Sequence, residues 1–236
     1  MGISSLSNLP TMLISAAAVT VGIVIHESSH ALVAYLLGDK TARSRGRVSL
    51  NPLNHIDPFG TIALPLLMIL AGGPVFAFAK PVPVYLGNLK HPKRDELLVS
   101  LAGPASNIAL ACLGALGLNI AAGTDYALIQ AYMNSEPAGC IVDFLLALIS
   151  VNLSLAFFNL IPLPPLDGSS ILVVFLRGRA LGAYYRIQRY AMPILLIALY
   201  LLPQVTGIDI IGAYFNVTLY PAFDALLGVA LPGLVG

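Results

Sequence analysis

The feature that most constrains the fold is a series of six apolar runs separated by short polar segments. The runs cover residues 11–37, 60–79, 97–122, 140–161, 190–204 and 210–232. About 20 apolar residues in a helix cross a bilayer core of about 30 Å, so most of these runs are long enough to span it. Of the 236 residues, 58% are hydrophobic and only 10% are charged, too few to cover a water-exposed surface. We therefore predict an all-α polytopic membrane protein and exclude a soluble globular enzyme or a disordered chain.

Charge and cysteine content exclude two further classes. The net charge of +1 offers no field for a phosphate backbone, so nucleic acid is not expected as a partner. Cys112 and Cys140 are the only cysteines, which excludes a disulfide framework and a cysteine-type zinc cluster.

The basic residues predict which loops face the cytoplasm, because all twelve fall in three clusters of four. The clusters are Lys40, Arg43, Arg45 and Arg47; Lys80, Lys90, Lys93 and Arg94; and Arg177, Arg179, Arg186 and Arg189. Positively charged loops stay inside, whereas residues 123–139 carry no Lys or Arg and are predicted to be external. Run 60–79 separates two basic clusters and contains Pro65 and Gly72-Gly73-Pro74, so we predict a re-entrant or bent segment. The other five runs then cross the membrane, with the N-terminus outside.

Residues 41–51 alternate small or apolar residues with polar ones, and Pro52 ends the pattern. This alternation predicts a short β-ribbon at the membrane surface. A solvated basic loop is the alternative.

Residues 26–30 read His-Glu-Ser-Ser-His inside the first run. On a helix, residues i and i+4 share a face, so both imidazoles can reach one ion while Glu27 lies beside them. The pattern is the H-E-x-x-H zinc signature, in which the carboxylate handles the proton of the attacking water. Ionisable residues inside a membrane span are costly and mark functional sites. The alternative is a set of side chains satisfied by helix packing or by a polar cavity.

A catalytic zinc ion usually takes three protein ligands, so a third is needed. The remaining candidates are His55, His91, Asp125, Glu136, Asp143, Asp167, Asp209 and Asp224. Asp167 follows three prolines and precedes Gly168, and such non-helical backbone at membrane depth must line a cavity or be buried in protein. In the predicted topology His26, His30 and Asp167 all lie about 12–18 Å below the cytoplasmic interface. Asp167 is therefore favoured, with a capping Asp in a turn as the alternative.

Three motifs in this order resemble those of the site-2 protease family, the intramembrane zinc metalloproteases of peptidase family M50. They are His-Glu-Ser-Ser-His at 26–30, Gly-Pro-Ala-Ser-Asn at 103–107 and Asn-Leu-Ile-Pro-Leu-Pro-Pro-Leu-Asp-Gly at 159–168. The similarity covers about residues 15–180, and residues 48–60 and 79–84 are similar to compact bacterial and archaeal members without PDZ or CBS domains.

The resemblance implies one zinc ion per chain on His26, His30 and Asp167, with Glu27 as the general base. It also implies that Asn159 holds the substrate backbone or the developing oxyanion, and that Asn107 lines the same cavity less directly.

The substrates implied by the resemblance are transmembrane segments of other proteins, cut in the lipid bilayer of a prokaryotic plasma membrane with the active site toward the cytoplasmic half. Residues 1–236 are predicted to form a single protease domain, with a catalytic core at about 11–180 and accessory helices at about 186–236. Two other functions stay open, namely a metal transporter or channel and an inactive relative that binds transmembrane segments without cutting them.

Overall fold

The computed structural model describes residues 9–57, 60, 63, 79–124, 126–134 and 137–231, and helices dominate them. The helices are α1 (Leu9–Leu36), α2 (Thr41–Ser44), α3 (Pro92–Thr124), α4 (Tyr126–Met133), α5 (Cys140–Asn159), α6 (Ser170–Phe175), α7 (Gly178–Ile187), α8 (Ala191–Leu196), α9 (Leu202–Thr206), α10 (Ile210–Val217) and α11 (Leu219–Ala230). Short 3-10 turns lie at Pro52–Asn54, Leu86–Asn88, Pro137–Gly139, Asp167–Ser169 and Gln188–Tyr190, and a π-helical turn lies at Ile197–Leu201.

Among the described residues, five helical stretches are long and apolar enough to cross a membrane. They are Leu9–Leu36, Pro92–Gly123, Pro137–Asn159, Gly178–Thr206 and Ile210–Ala230. Each overlaps one predicted run, although Gly178–Thr206 begins 12 residues before run 190–204 and includes Arg179, Arg186 and Arg189. The prediction of an all-α protein with about five helices long enough to span is confirmed. The predicted re-entrant segment 60–79 lies almost wholly outside the described residues and stays a prediction.

The helix α1 ends where a glycine allows the chain to turn. Gly38 adopts φ +113°, a conformation that L side chains rarely adopt. Its N–H donates to the Tyr35 carbonyl at 3.1 Å, and the Asp39 N–H donates to the Ala34 carbonyl at 2.9 Å. These two bonds form a Schellman motif, which satisfies carbonyls at the end of the helix.

Asp39 then ties the end of α1 to a distant segment. Its buried carboxylate accepts hydrogen bonds from the Tyr85 N–H at 2.7 Å, from the Asn88 side-chain amide at 2.8 Å and from Thr41. Burial acts to raise the pKa of Asp39, but the bonds from Thr41, Asn88 and Tyr85 outweigh it and hold that pKa below its ordinary value. The carboxylate is therefore kept charged at neutral pH.

The β-ribbon predicted for residues 41–51 is wrong. Residues 41–44 form α2, and no strand occurs in the described part of the chain. The backbone groups that a ladder would pair are used by side chains instead: the Ser49 carbonyl accepts from Ser28 Oγ and from His55 Nε2, the latter at 2.7 Å. The segment is not a fully solvated loop either, because Arg47 is only 3% exposed.

The chain divides into two compact units, residues 23–103 and residues 1–22 with 104–236. The second unit has an apolar core in which small residues let helices approach closely. The core residues are Ala111, Ala115, Leu118, Ile129, Val142, Ile149, Leu153, Leu219 and Ala230. At Gly114 a Cβ atom would lie 3.0 Å from Ile149 Cγ1 and 3.4 Å from the Leu145 carbonyl oxygen, so α3 and α5 are in close contact there.

Candidate metal centre

The two predicted histidine ligands lie together on α1, in the unit formed by residues 23–103. His26 is 6% and His30 is 7% exposed, and their rings meet edge to face with centroids 4.6 Å apart. One ligand nitrogen of each lies within 4.8 Å of the other. The half-buried Glu27 follows His26 directly in the helix. The i, i+4 spacing has therefore placed both imidazoles on one face, as the sequence predicts.

A hydrogen bond sets the protonation of one of these rings. His30 Nδ1 lies 2.7 Å from the Val99 carbonyl oxygen. A carbonyl oxygen can only accept, so Nδ1 carries a proton, and in the neutral form of the ring the lone pair is then on Nε2. Histidine ligands in metal sites are commonly fixed in this way. The donor set on α1 therefore fits a zinc ion.

Gly103 packs against both rings. A Cβ atom at this position would lie 2.6 Å from His26 Nε2 and closer still to His30 Nε2. The space beside the two Nε2 atoms therefore exists because residue 103 has no side chain.

A buried cation lies in the same unit. The Arg47 guanidinium donates to the carbonyl oxygens of Asn54 and Lys80. Burial lowers the pKa of Arg47 from its ordinary value, while the negative charge of Glu27 acts to raise it. The alternative for this segment, a solvated basic loop, does not describe Arg47 either, because Arg47 is an internal cation within electrostatic reach of Glu27.

The predicted third ligand, Asp167, lies in the unit formed by residues 1–22 and 104–236. The helix α5 ends at Asn159, and Asp167 begins a 3-10 turn that leads into α6. Gly168 is needed next to it, because a Cβ atom there would lie 2.8 Å from the Ile161 carbonyl oxygen and closer to that of Leu160. Ser169 Oγ lies 2.9 Å from Tyr184 Oη, which anchors the turn to α7. The predicted break in the helix is confirmed, and the role of the half-buried Asp167 as a ligand stays a prediction.

The two predicted substrate-binding amides differ in what they contact. Asn159 Nδ2 donates to the Leu155 carbonyl at 2.9 Å and so uses one of its two N–H groups. Asn107 is fully buried, and its Nδ2 donates both to the Gly22 carbonyl at 3.2 Å and to Asn152 Oδ1 at 2.8 Å. The substrate-binding roles of Asn159 and Asn107 stay predictions, and the contacts of Asn107 join three helices.

The other candidate ligands have different surroundings. His55 is 2% exposed, with Nε2 held by Ser49 and Ser28. His91, Asp209 and Asp224 are exposed, and Asp209 caps α10 by accepting from the Gly212 N–H at 2.8 Å. Asp143 is half-buried in the first turn of α5. Asp125 and Glu136 lie outside the described residues.

From the sequence alone, Val99 has no predicted role, and Gly103 and Arg47 have no individual role beyond their places in a motif and in a basic cluster. Val99 acts through its backbone carbonyl, which no residue type reveals. The sequence did contain a signal for Gly103, because Gly and Pro both destabilise the interior of a helix. Their presence inside the 33-residue α3 therefore indicates a packing reason.

Comparison with known proteins agrees with this geometry. A model of peptidase family M50 matches residues 14–202. YwhC of Bacillus subtilis (strain 168), provisionally named a zinc metalloprotease, is 40% identical over 167 residues, which are 71% of this chain and 69% of YwhC. Rip2 of Mycobacterium tuberculosis (strain ATCC 25618 / H37Rv), with the same provisional name, is 31% identical over 210 residues, 89% of this chain and 72% of Rip2. No solved structure gives a significant match. The chain belongs to peptidase family M50 and is a metalloprotease, a hydrolase of peptide bonds.

Proposed function

We propose that the chain is an intramembrane zinc metalloprotease that hydrolyses peptide bonds within or near transmembrane segments of other membrane proteins. The observation that carries the proposal is the placement of His26, Glu27 and His30 inside α1, a helix long and apolar enough to cross a membrane. Two buried imidazoles and a carboxylate are costly in such a helix, and binding a metal offsets that cost. A protease whose site lies within a span acts on segments that share the membrane.

The proposed centre holds one zinc ion per chain on His26, His30 and Asp167. The tautomer of His30 supports its assignment as a ligand, because a proton on Nδ1 leaves the lone pair of Nε2 available for the metal. The choice of Asp167 is supported by its place in a broken, half-buried segment, where a carboxylate can face a cavity at membrane depth. Two imidazoles and one carboxylate form a known ligand set of catalytic zinc.

The reaction follows from the groups of this chain. Zinc, when bound, supplies Lewis-acid chemistry that activates water and polarises a carbonyl. The Glu27 carboxylate accepts a proton from the attacking water and donates it to the leaving amine as the peptide C–N bond breaks. Asn159 donates its second N–H to the substrate oxygen as negative charge develops, a contribution of about 3–4 kcal/mol for a well-placed donor.

The proposed setting is the plasma membrane of a prokaryote, with the N-terminus outside and the active site in the cytoplasmic half of the bilayer. The basic clusters at 40–47, 80–94 and 177–189 support this orientation. The partners are the lipid bilayer and substrates with a transmembrane segment, cut in regulated intramembrane proteolysis. We propose that residues 1–236 act as one protease domain, with the catalytic core at about 11–180.

The test compares the wild type with Glu27→Gln, purified in detergent and incubated with a panel of single-span membrane proteins. The substitution keeps the size of the side chain and removes the base. Zinc content is therefore expected to stay near the wild-type level, while cleavage falls by at least about 100-fold. Glu136→Gln, in the predicted external segment, is the matched control and should cleave at the wild-type rate.

Three outcomes decide between the candidate functions. Cleavage by the wild type and capture of uncut substrate by Glu27→Gln support the protease. Cation transport without cleavage in either form indicates a transporter. No cleavage by a zinc-loaded wild type, with equal substrate capture by Glu27→Gln, indicates an inactive binding protein and overturns the proposal.

A further inference from the structure

Gly103 occupies a position where any side chain would clash with the rings of both predicted histidine ligands. A Cβ atom built there would lie 2.6 Å from both Nε2 and Cε1 of His26, and closer still to His30 Nε2. Non-bonded carbon atoms gain energy only at about 3.5–4.0 Å, so these separations are strongly repulsive. Both rings are nearly fully buried, so a displaced ring would move among neighbouring protein atoms and not into open solvent.

The neighbouring turn of α3 acts on the same histidines. Val99 lies four residues before Gly103 and therefore on the same face of the helix. Its carbonyl oxygen accepts the hydrogen bond from His30 Nδ1 at 2.7 Å. One face of α3 therefore makes two contributions. Val99 fixes the tautomer of His30, and the missing side chain of Gly103 leaves space for the Nε2 atoms of both histidines.

The contacts of Gly103 differ from those of a glycine that only brings two helices together. At Gly114 of the same helix, the nearest atoms to a Cβ are Ile149 Cγ1 and backbone atoms of Leu145 and Ile149, and at Gly117 they are carbons of the Leu145 side chain. At Gly103 the three nearest atoms all belong to the rings of His26 and His30. The constraint at residue 103 therefore comes from the imidazoles.

We propose that Gly103 is a positioning residue of the zinc site, needed so that His26 and His30 can both present Nε2 to one ion. The inference rests on the proposed zinc function. A methyl group at residue 103 must push at least one ring out of place, and losing the support around a metal-bound histidine typically lowers metal affinity by about 10–100-fold. We expect a loss of this size for Gly103→Ala.

The experiment measures zinc affinity of the purified full chain by competition with a chelator, for the wild type, Gly103→Ala and Gly123→Ala. Gly123 is the matched control, since it lies in the same helix and a Cβ there meets no atom of the described residues within 4 Å. Ala favours a helix over Gly by about 1 kcal/mol, so helix propensity cannot explain a loss. We expect weaker zinc binding in Gly103→Ala alone, with an altered absorption spectrum when Co²⁺ replaces zinc.

Two failures remain distinguishable. If the wild type and Gly123→Ala bind no zinc, the proposed function fails and this inference fails with it. If both bind zinc and Gly103→Ala binds it equally well with the same Co²⁺ spectrum, only the role of Gly103 is overturned.

A second measurement covers the case in which Gly103→Ala folds poorly. Thermal unfolding with a chelator present is compared in the native background and in a background carrying His26→Ala and His30→Ala. If the rings cause the clash, Gly103→Ala lowers the unfolding midpoint in the native background and does not lower it in the background without rings. An equal decrease in both backgrounds shows that residue 103 matters for another contact and overturns the proposal.

Discussion

Asp167 is the only charged side chain between the end of α5 and the start of α6, so its charge can be removed without disturbing an ion pair within that segment. Asp167→Asn keeps the shape of the side chain and removes the anionic ligand. We expect zinc affinity to fall by more than about 100-fold, since losing even an outer-shell partner costs about 10–100-fold. Zinc content after dialysis measures the effect.

The control for this prediction is Asp224→Asn, the same change at an exposed carboxylate of α11. It should leave zinc affinity unchanged. Full zinc occupancy and activity in Asp167→Asn would show that another residue is the third ligand, and His55 and Asp224 would be the next candidates.

For individual residues, the sequence could predict a contact only where the two residues lie close together along the chain. The pairing of His26 with His30 follows from helical spacing alone and is confirmed. The contact between His30 and Val99 joins residues 69 positions apart, and no local pattern encodes it. Gly103 belongs to the Gly-Pro-Ala-Ser-Asn motif, but the resemblance implies a role only for Asn107 of that motif.

Among the helices, a buried pair of amides joins α1, α3 and α5. Asn107 donates to Gly22 of α1 and to Asn152 of α5, and Asn152 donates to the Leu148 carbonyl of its own helix at 2.8 Å. Hydrogen bonds between membrane helices contribute on average about 0.6 kcal/mol, and removing a buried acceptor adds a desolvation cost. This pair therefore stabilises the packing of three helices.

We expect Asn152→Ala to lower the free energy of unfolding by about 1–3 kcal/mol, measured by unfolding in mixed detergent and SDS. The matched control is Ser154→Ala in the same helix, because the bond of Ser154 Oγ among the described residues is to the Ser150 carbonyl one turn away. That variant should unfold within about 0.5 kcal/mol of the wild type. Equal effects of the two substitutions would show that the bond between the amides adds nothing measurable.

The sequence predicted well those elements that are determined by their own residues and not by contacts with distant parts of the chain. Apolar length predicted the five spanning helices, and three prolines predicted the end of α5 near Asn159. The β-ribbon predicted for residues 41–51 is wrong because the alternation of polar and apolar residues shows only which side chains favour water. It does not identify the groups with which the backbone forms hydrogen bonds. Asp39, Asn54 and His55, which lie outside the segment, supply side-chain partners to its backbone, and no strand forms in it.

Across the whole molecule, the distribution of charge should set its orientation. The described loops at 39–57 and 79–91 follow α1 and precede α3, and both carry predicted cytoplasmic clusters. In the proposed function, cytoplasmic placement of both basic loops puts His26 and Asp167 at one depth. A single crossing by run 60–79 would put one basic cluster outside and separate the two residues across the bilayer.

The orientation can be tested by labelling single cysteines with a membrane-impermeant reagent in intact cells. Cys112 and Cys140 are exposed and are first replaced by Ser. Cysteines placed at Arg43, Lys90 and Arg179 should react only after the membrane is opened, because basic loops stay inside, whereas one placed at Asp125 should react from outside. Labelling of the Lys90 position in intact cells would show that run 60–79 crosses once, and the shared depth of the proposed ligands would then have to be abandoned.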